Sequence, residues 1–350
     1  MIRITDIPGR QTLVKGVPHL FFSGFAYLGM PSLEIFQDTV AEGLRRYGAV
    51  YPSSRASNTP LALYEAFERE LAAFTGREAA LTFSSGYAAA QAAAYGCAAG
   101  GPLLYGPGTH PSLMVAGAGG RRFTSAGWER EVLAFLGTVT TGMPTIVLES
   151  VDPISGTIRD FSWLMETPRQ VRVLVDDSHG IGILGDGGEG ITGMLPLLPE
   201  LSYLICFSLS KAFSCQGGAV AGTSRDIGLL RAQPWFSAAT PMSPAFAYAW
   251  MESRPVFDRE RERLKRNLAW LREGLRDSAL ARHDPRLPFC RFLDPAFYAY
   301  CLSRAILLSA FRYPSPSDPL VVRAVINALH TPKDLSVLLE ALHEFRPQGR

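Results

Sequence analysis

Five short runs of consecutive apolar, often β-branched residues recur between positions 78 and 207: Glu78–Ser84, Leu103–Tyr105, Thr145–Glu149, Val171–Asp176 and Tyr203–Phe207. They are continuous rather than alternating, so each predicts a strand covered on both faces. Helical spacing lies around them. Leu33, Phe36, Val40 and Leu44 mark one helix near Ser32–Tyr47; Leu63, Phe67, Leu71 and Phe74 mark another from Leu61 to Thr75, stopped at Gly76; a third spans Gly86–Ala98. Such alternation predicts an α/β fold built on a doubly wound, mostly parallel sheet. Ligands of these sheets lie beyond the carboxyl ends of the strands.

The rhythm changes after Gly222. A Ser-, Thr- and Pro-rich loop, Trp235 to Pro244, leads into helices, one of them long and charged, Pro255 to Ser278. Strand-like Phe289–Leu293, Ala305–Phe311 and Val321–Ala328 follow, then a last helix from Thr331 to Phe345 with Pro332 in its first turn. The expected division is an N-terminal arm (1–30), a large α/β domain (31–234) and a smaller C-terminal α+β domain (235–350). No internal repeat is visible.

Composition narrows the class. Of 350 residues, 47% are hydrophobic and 19% charged, which excludes disorder over most of the chain. A net charge of +2 gives no reason to expect nucleic acid or an anionic membrane as partner. The N-terminus lacks the apolar core of a signal peptide, and the apolar runs fall short of the ~20 residues that span a bilayer. Cys97, Cys206, Cys215, Cys290 and Cys301 show no metal-ligand spacing and read as reduced core thiols, with no metal expected. A cytoplasmic protein is the expectation.

Polar residues with chemical potential gather at the predicted strand ends. Lys211, in Ser208-Leu-Ser-Lys211-Ala-Phe, follows one buried strand, and Asp176-Asp177-Ser178-His179 follows another. A desolvated lysine loses proton affinity and becomes a nucleophile, whereas most lysines are simply solvated. Asp176 needs a partner at its strand end: a pyridinium N–H, an arginine or a helix N-terminus would each serve. Lysine and aspartate together suit pyridoxal phosphate, the amine joining the aldehyde and the carboxylate keeping the ring nitrogen protonated. Ser85-Gly86-Tyr87 opens a helix, as a plain N-cap or as an anion site. His110 is either a surface loop histidine or a ring that stacks on a cofactor, and Ser208 and Ser210 can hydrogen-bond a phosphate. Arg323, alone in an apolar strand, fits either a salt bridge or a carboxylate-binding fork.

Ser85-Gly86-Tyr87, His110, Asp176-Asp-Ser-His179-Gly-Ile-Gly182, Ser208-Leu-Ser-Lys211-Ala and Gly217-Gly218 together resemble the α-oxoamine synthase family of fold-type I pyridoxal phosphate enzymes. The likeness runs from Tyr27-Leu-Gly to Ala328-Leu-His330-Thr. It implies that Lys211 holds the cofactor as an aldimine and removes the α-proton. By the same resemblance Asp176 meets the ring nitrogen, His179 the ring hydroxyl, and His110 stacks on the ring. Ser85, Gly86, Tyr87 and Ser208 would border the phosphate. Ser237 or Thr240 would reach the phosphate site of a neighbouring subunit, making a homodimer the expected form. Arg323 would take the amino-acid carboxylate. Three stretches depart from the family pattern: Ala26-Tyr27-Leu28-Gly29 has lost a leading Asn, Pro153-Ile-Ser-Gly-Thr157 replaces Ser-Met-Asp-Gly-Asp, and Tyr51-Pro-Ser-Ser-Arg55-Ala-Ser-Asn58 replaces a glycine-rich loop. That loop offers Arg55 and Asn58 as further substrate candidates.

The resemblance implies condensation of a small amino acid with an acyl-CoA or carrier-bound thioester to an α-amino ketone. The alternatives are amino transfer or another cleavage at the α-carbon, and a non-catalytic partner subunit of the same fold, which retention of Lys211, Asp176 and His179 argues against.

Overall fold

The computed structural model describes residues 2–117, 119–276, 278–313 and 315–346. A seven-stranded sheet runs in the order Ala79–Phe83, Gly218–Gly222, Leu201–Ser208, Val171–Asp176, Thr145–Glu149, Leu103–Tyr105, Arg121–Arg122. Neighbours are parallel except at Gly218–Gly222, which is antiparallel to both its partners. This is the mostly parallel α/β sheet that the continuous apolar runs demand.

Side chains of successive strand residues point to opposite faces, so one run feeds two cores. Leu174, Val147 and Leu204 pack with the alanines of helix Gly86–Ala98. Val173, Val175, Ile146, Leu148 and Ile205 join Phe67, Phe213 and Trp250 on the other side. Alanine is both the best helix former and the smallest apolar side chain, which lets Gly86–Ala98 lie close across four strands. A Leu148→Ala change would cost about 2–5 kcal/mol in such a site. All five cysteines are buried and free, as expected of core filler.

A second sheet is ordered Gln11–Val14, Val17–Phe22, Ile306–Arg312, Leu320–Val325, Phe289–Phe292, Ala281–Arg282. Its first two strands are an N-terminal hairpin that the aperiodic look of the first thirty residues concealed. Lys15 and Gly16 both adopt positive φ (51° and 78°), the turn geometry that matches strand twist in a two-residue hairpin. Leu20, Phe21 and Phe22 then pair in parallel with Ile306, Leu307 and Leu308. The expected strand through Ala328 ends at Val325, because Asn327 turns the chain by accepting from the N–H groups of Leu329 and His330.

Helices Trp128–Leu136, Ser224–Arg231 and Ala296–Ser303 lie where no helix was expected, whereas Pro244–Glu252 follows the Ser-, Thr- and Pro-rich loop as expected. Pro244–Glu252 packs on Glu34–Tyr47, and a Cβ at Gly43 would come within 2.7 Å of Ala245 O, so glycine permits that crossing. Helix Arg254–Leu275 packs on Pro332–Glu344, whose start is secured by a Thr331/Asp334 capping box and by Arg10 at 2.9 Å from Asp334. No helix among the described residues is long and apolar enough to cross a membrane.

Candidate active site

A cavity of about 520 Å³ opens where the carboxyl ends of Thr145–Glu149, Val171–Asp176 and Leu201–Ser208 face the second sheet. Lys211, Asp176, His179, His110, Ser85, Gly86, Tyr87, Ser208, Ser210 and Arg323 all line it. Residues scattered over more than half the chain thus meet in one place.

The loop after Leu201–Ser208 delivers Lys211. Leu209, Ala212 and Phe213 are buried, and Leu209 N–H donates to Gly217 O while Cys215 N–H donates to Leu209 O. With its neighbours anchored inward, the lysine faces the cavity. Burial lowers its proton affinity, the carboxylates of Asp176 and Glu149 raise it, and Arg323 lowers it again, with a net reduction. Asp176 closes its strand and accepts from Ser178 N–H at 2.9 Å. Strand alternation sends the adjacent Asp177 inward instead, fully buried, where it accepts from Ile191 N–H and burial pushes its carboxyl to about 7. Only the first aspartate of the pair serves the cavity.

His179 Nδ1 lies 2.7 Å from the hydroxyl of Tyr27, a completely buried residue. Burial holds His179 well below its ordinary pKa, and Lys211 and Arg323 add to the effect, so the imidazole is neutral. Burial also keeps the Tyr27 phenol protonated. With Tyr27 O–H donating to Nδ1, the ring proton sits on Nε2.

Ser85 caps the helix Gly86–Ala98 by accepting from Ala88 N–H at 3.1 Å. The first-turn amides of Gly86 and Tyr87 have no intrahelical carbonyl, and the helix dipole adds positive potential. Ser208 and Ser210 hydroxyls lie 2.7 Å apart beside them. A Cβ at Gly86 would meet Ser208 Cβ at 2.6 Å, and one at Gly218 would meet Gly86 Cα at 2.5 Å. The glycines therefore bring three backbones together into a cradle for an anion.

Four expected site residues lie elsewhere. Arg55 is buried against Glu68 at 3.0 Å, donates to Thr82 Oγ1 at 3.1 Å and stacks over Tyr64. Its charge is already matched inside the protein, so it is not available to a substrate in this cavity. Asn58 and Thr240 are exposed, Ser237 is half-buried, and none of the three lines the cavity of its own chain. The two loops are joined where Ser54 Oγ donates to Ser237 O at 2.6 Å.

Residues 26–342 match the profile of the family described as "Aminotransferase class I and II". The chain belongs to this family. Within it, the relatives are α-oxoamine synthases. It is 31% identical to 8-amino-7-oxononanoate synthase from Chromohalobacter salexigens, over 95% of this chain and 91% of that protein. It is 32% identical to the enzyme of that name from Ectopseudomonas mendocina, over 97% and 92%. Among solved structures it resembles serine palmitoyltransferase from Sphingomonas wittichii (TM-score 0.81, 19% identity, 97% of this chain and 90% of that one). It also resembles 8-amino-7-oxononanoate synthase from Francisella tularensis (TM-score 0.72, 21% identity, 93% and 96%). The protein is a pyridoxal phosphate-dependent transferase of fold type I. Its cavity suits that cofactor: a glycine-lined anion cradle, a carboxylate at a strand end and a desolvated lysine share one wall.

Some residues at or behind this cavity were not singled out as candidates. Tyr27, which backs His179, was visible only as part of a motif, Glu149 only as the end of an apolar run, and Tyr313 had no local mark. Glu149 stands in register with Asp176, accepts from His110 N–H at 2.5 Å and is only 5% exposed. Burial and the nearby Asp176 charge push its carboxyl to about 8, although Arg159 pulls the other way. Between its ordinary 4.5 and about 8 the folded protein keeps this proton and the unfolded chain does not, so stability falls as pH rises through that window. In Glu149→Gln the fall should be shallower. Urea unfolding at pH 5.5 and 8.5 should separate the two proteins' pH dependences by on the order of 2 kcal/mol. Parallel pH profiles would mean that Glu149 titrates normally.

Proposed function

We propose that this transferase joins the α-carbon of a small amino acid to the acyl carbon of a thioester, releases the thiol, and yields an α-amino ketone after loss of the original carboxylate. The observation that carries this reading is Arg323. It is 3% exposed, spends Nη1 on Pro153 O at 3.0 Å, and has no carboxylate within ion-pair distance among the described residues. The rings of Phe25, Phe289 and Phe311 stand 5.2, 5.2 and 4.9 Å from its guanidinium carbon. A buried cation caged by aromatics beside a desolvated amine is suited to the carboxylate of an amino acid. The relatives named 8-amino-7-oxononanoate synthase and serine palmitoyltransferase support the same class of reaction.

In this reading Ser85, Gly86, Tyr87 and Ser208 bind the cofactor phosphate, His110 stacks on the ring, and Asp176 holds a proton on the ring nitrogen. His179 donates from Nε2 to the ring hydroxyl. Bound there, pyridoxal phosphate supplies the electron sink for the pair left on the α-carbon. Lys211, its proton affinity lowered by burial, takes the α-proton, while Arg323 orients the carboxylate so that this proton faces it. Ser237 and Thr240 serve the phosphate site of a second copy, so the working form is a homodimer.

The test is thiol release from a panel of acyl-CoA and carrier-bound thioesters with each small amino acid. Amino transfer to a keto acid, with no thiol released, would overturn the reading. Arg323→Met should raise the KM for the amino acid about 10–100-fold, the value of one charge-assisted contact, and leave the KM for the thioester unchanged.

A further inference from the structure

The second sheet contributes Phe311, Tyr313 and Arg323 to the cavity, and Pro153 and Ile154 beside them bring no side-chain donor. Tyr313 and Arg323 are therefore the polar groups on this wall. Tyr313 follows strand Ile306–Arg312, and its ring lies nearly parallel to that of His110, centroids 6.0 Å apart and planes at 17°. It reaches across the cavity to the large sheet. Its hydroxyl oxygen is buried without a hydrogen-bond partner among the described residues. Such a group is costly to leave unmet, and the space it lines is where a ligand must lie. Burial, reinforced by the carboxylates of Glu149, Asp176 and Asp152, keeps the phenol protonated. It remains a neutral donor at any working pH. Two other buried polar atoms of the cavity-lining residues lack a hydrogen-bond partner among the described residues: Glu149 Oε2, on the large-sheet wall, where its sister oxygen binds His110 N–H, and Nε of Arg323, the cation already assigned to the amino-acid carboxylate.

We infer that the Tyr313 hydroxyl is the hydrogen-bond donor for the carbonyl oxygen of the acyl thioester. The inference rests on the condensation proposed above. In that reading the cofactor aldehyde would take the amino group of the first substrate, Lys211 its α-proton and Arg323 its carboxylate. The acyl carbonyl is the remaining acceptor that must enter. When the α-carbon's electron pair attacks the carbonyl carbon, a C–C bond forms and the C=O π pair moves to oxygen. That pair returns as the C–S bond breaks and the thiolate leaves, taking up one proton. A preorganised neutral donor at the oxygen stabilises the charge that builds between these two events.

Tyr313→Phe removes the hydroxyl and keeps the ring against His110. In the holoenzyme it should lower kcat/KM for the thioester about 10²-fold. The Kd for the amino acid alone, from spectral titration, should stay within about twofold, since no contact of that substrate is removed. A second readout needs no turnover. A ketone analogue of the thioester, CH2 in place of S, should bind wild-type protein about tenfold better than the analogue lacking the carbonyl oxygen, and Tyr313→Phe should abolish that preference. Retention of the preference, or a change confined to amino-acid binding, would overturn the assignment. If the wild-type enzyme binds amino acids but releases no thiol from any thioester, the condensation itself fails, and this is seen before any variant is made.

Discussion

Lys211→Ala is expected to purify without the visible absorbance of lysine-bound pyridoxal phosphate and to lose at least about 10³-fold in turnover with any substrate pair. In the proposed reading two separate functions disappear with one amine: the covalent attachment point and the base for the α-proton. Losses of residues that act as one unit do not add, so Lys211→Ala combined with Asp176→Asn should be scarcely slower than Lys211→Ala alone. The phosphate cradle of Ser85, Gly86, Tyr87 and Ser208 is untouched, so the variant should still bind the cofactor reversibly. Borohydride should fix the cofactor to the wild-type chain and not to the variant. Normal absorbance in Lys211→Ala would show that another amine holds the aldehyde and would remove the basis of the proposed chemistry.

Asp176→Asn should reduce kcat by about 10²–10³-fold while changing cofactor affinity far less. The amide is isosteric, can still accept from Ser178 N–H as Asp176 does at 2.9 Å, and leaves the strand end packed as before. It cannot balance the charge of a protonated ring nitrogen. The ring then withdraws electrons less well, and the barrier to α-proton removal rises. Asp176 also raises the proton affinity of Lys211, so the variant lysine should give up its proton at still lower pH. Deuterium exchange at the amino acid's α-carbon, measured without thioester, isolates this step. Unchanged exchange with a weakened cofactor Kd would make Asp176 a packing residue.

How much of this was legible in the chain depends on how local each signal is. Lys211, Asp176, His179, His110, Ser85, Ser208 and Arg323 were each readable because each follows or interrupts an apolar run whose burial is nearly certain. In a parallel sheet such run ends converge on one edge; Arg323 reaches the same cavity from the antiparallel strands of the second sheet, and all seven line it. Arg55 misled for the complementary reason. Its loop is polar and looks solvated, but Glu68, thirteen residues on along the next helix, draws the guanidinium into the core. Glu149 ended an apolar run but nothing local showed its partner, Tyr27 stood out only within a motif, and Tyr313 had no local mark. A tyrosine gains meaning only from what its hydroxyl meets, here His179 at 2.7 Å, 152 residues away.

Apolar run length, helical spacing and strand-end chemistry were enough to specify a parallel α/β sheet, its cofactor edge and the lysine and aspartate that face each other there, because burial and the two-residue alternation of strands act over a few neighbouring positions. Long-range pairing settled the rest. The N-terminal hairpin adds to a sheet made by the C-terminal third, with Ser23 and Ser309 hydroxyls in contact across 286 residues. That pairing positions Phe25 and Tyr27 against Arg323 and His179, and the same sheet carries Tyr313 over His110. The substrate-facing wall is assembled from segments whose hydrogen-bonding partners are remote in the chain, so no window of sequence could disclose it.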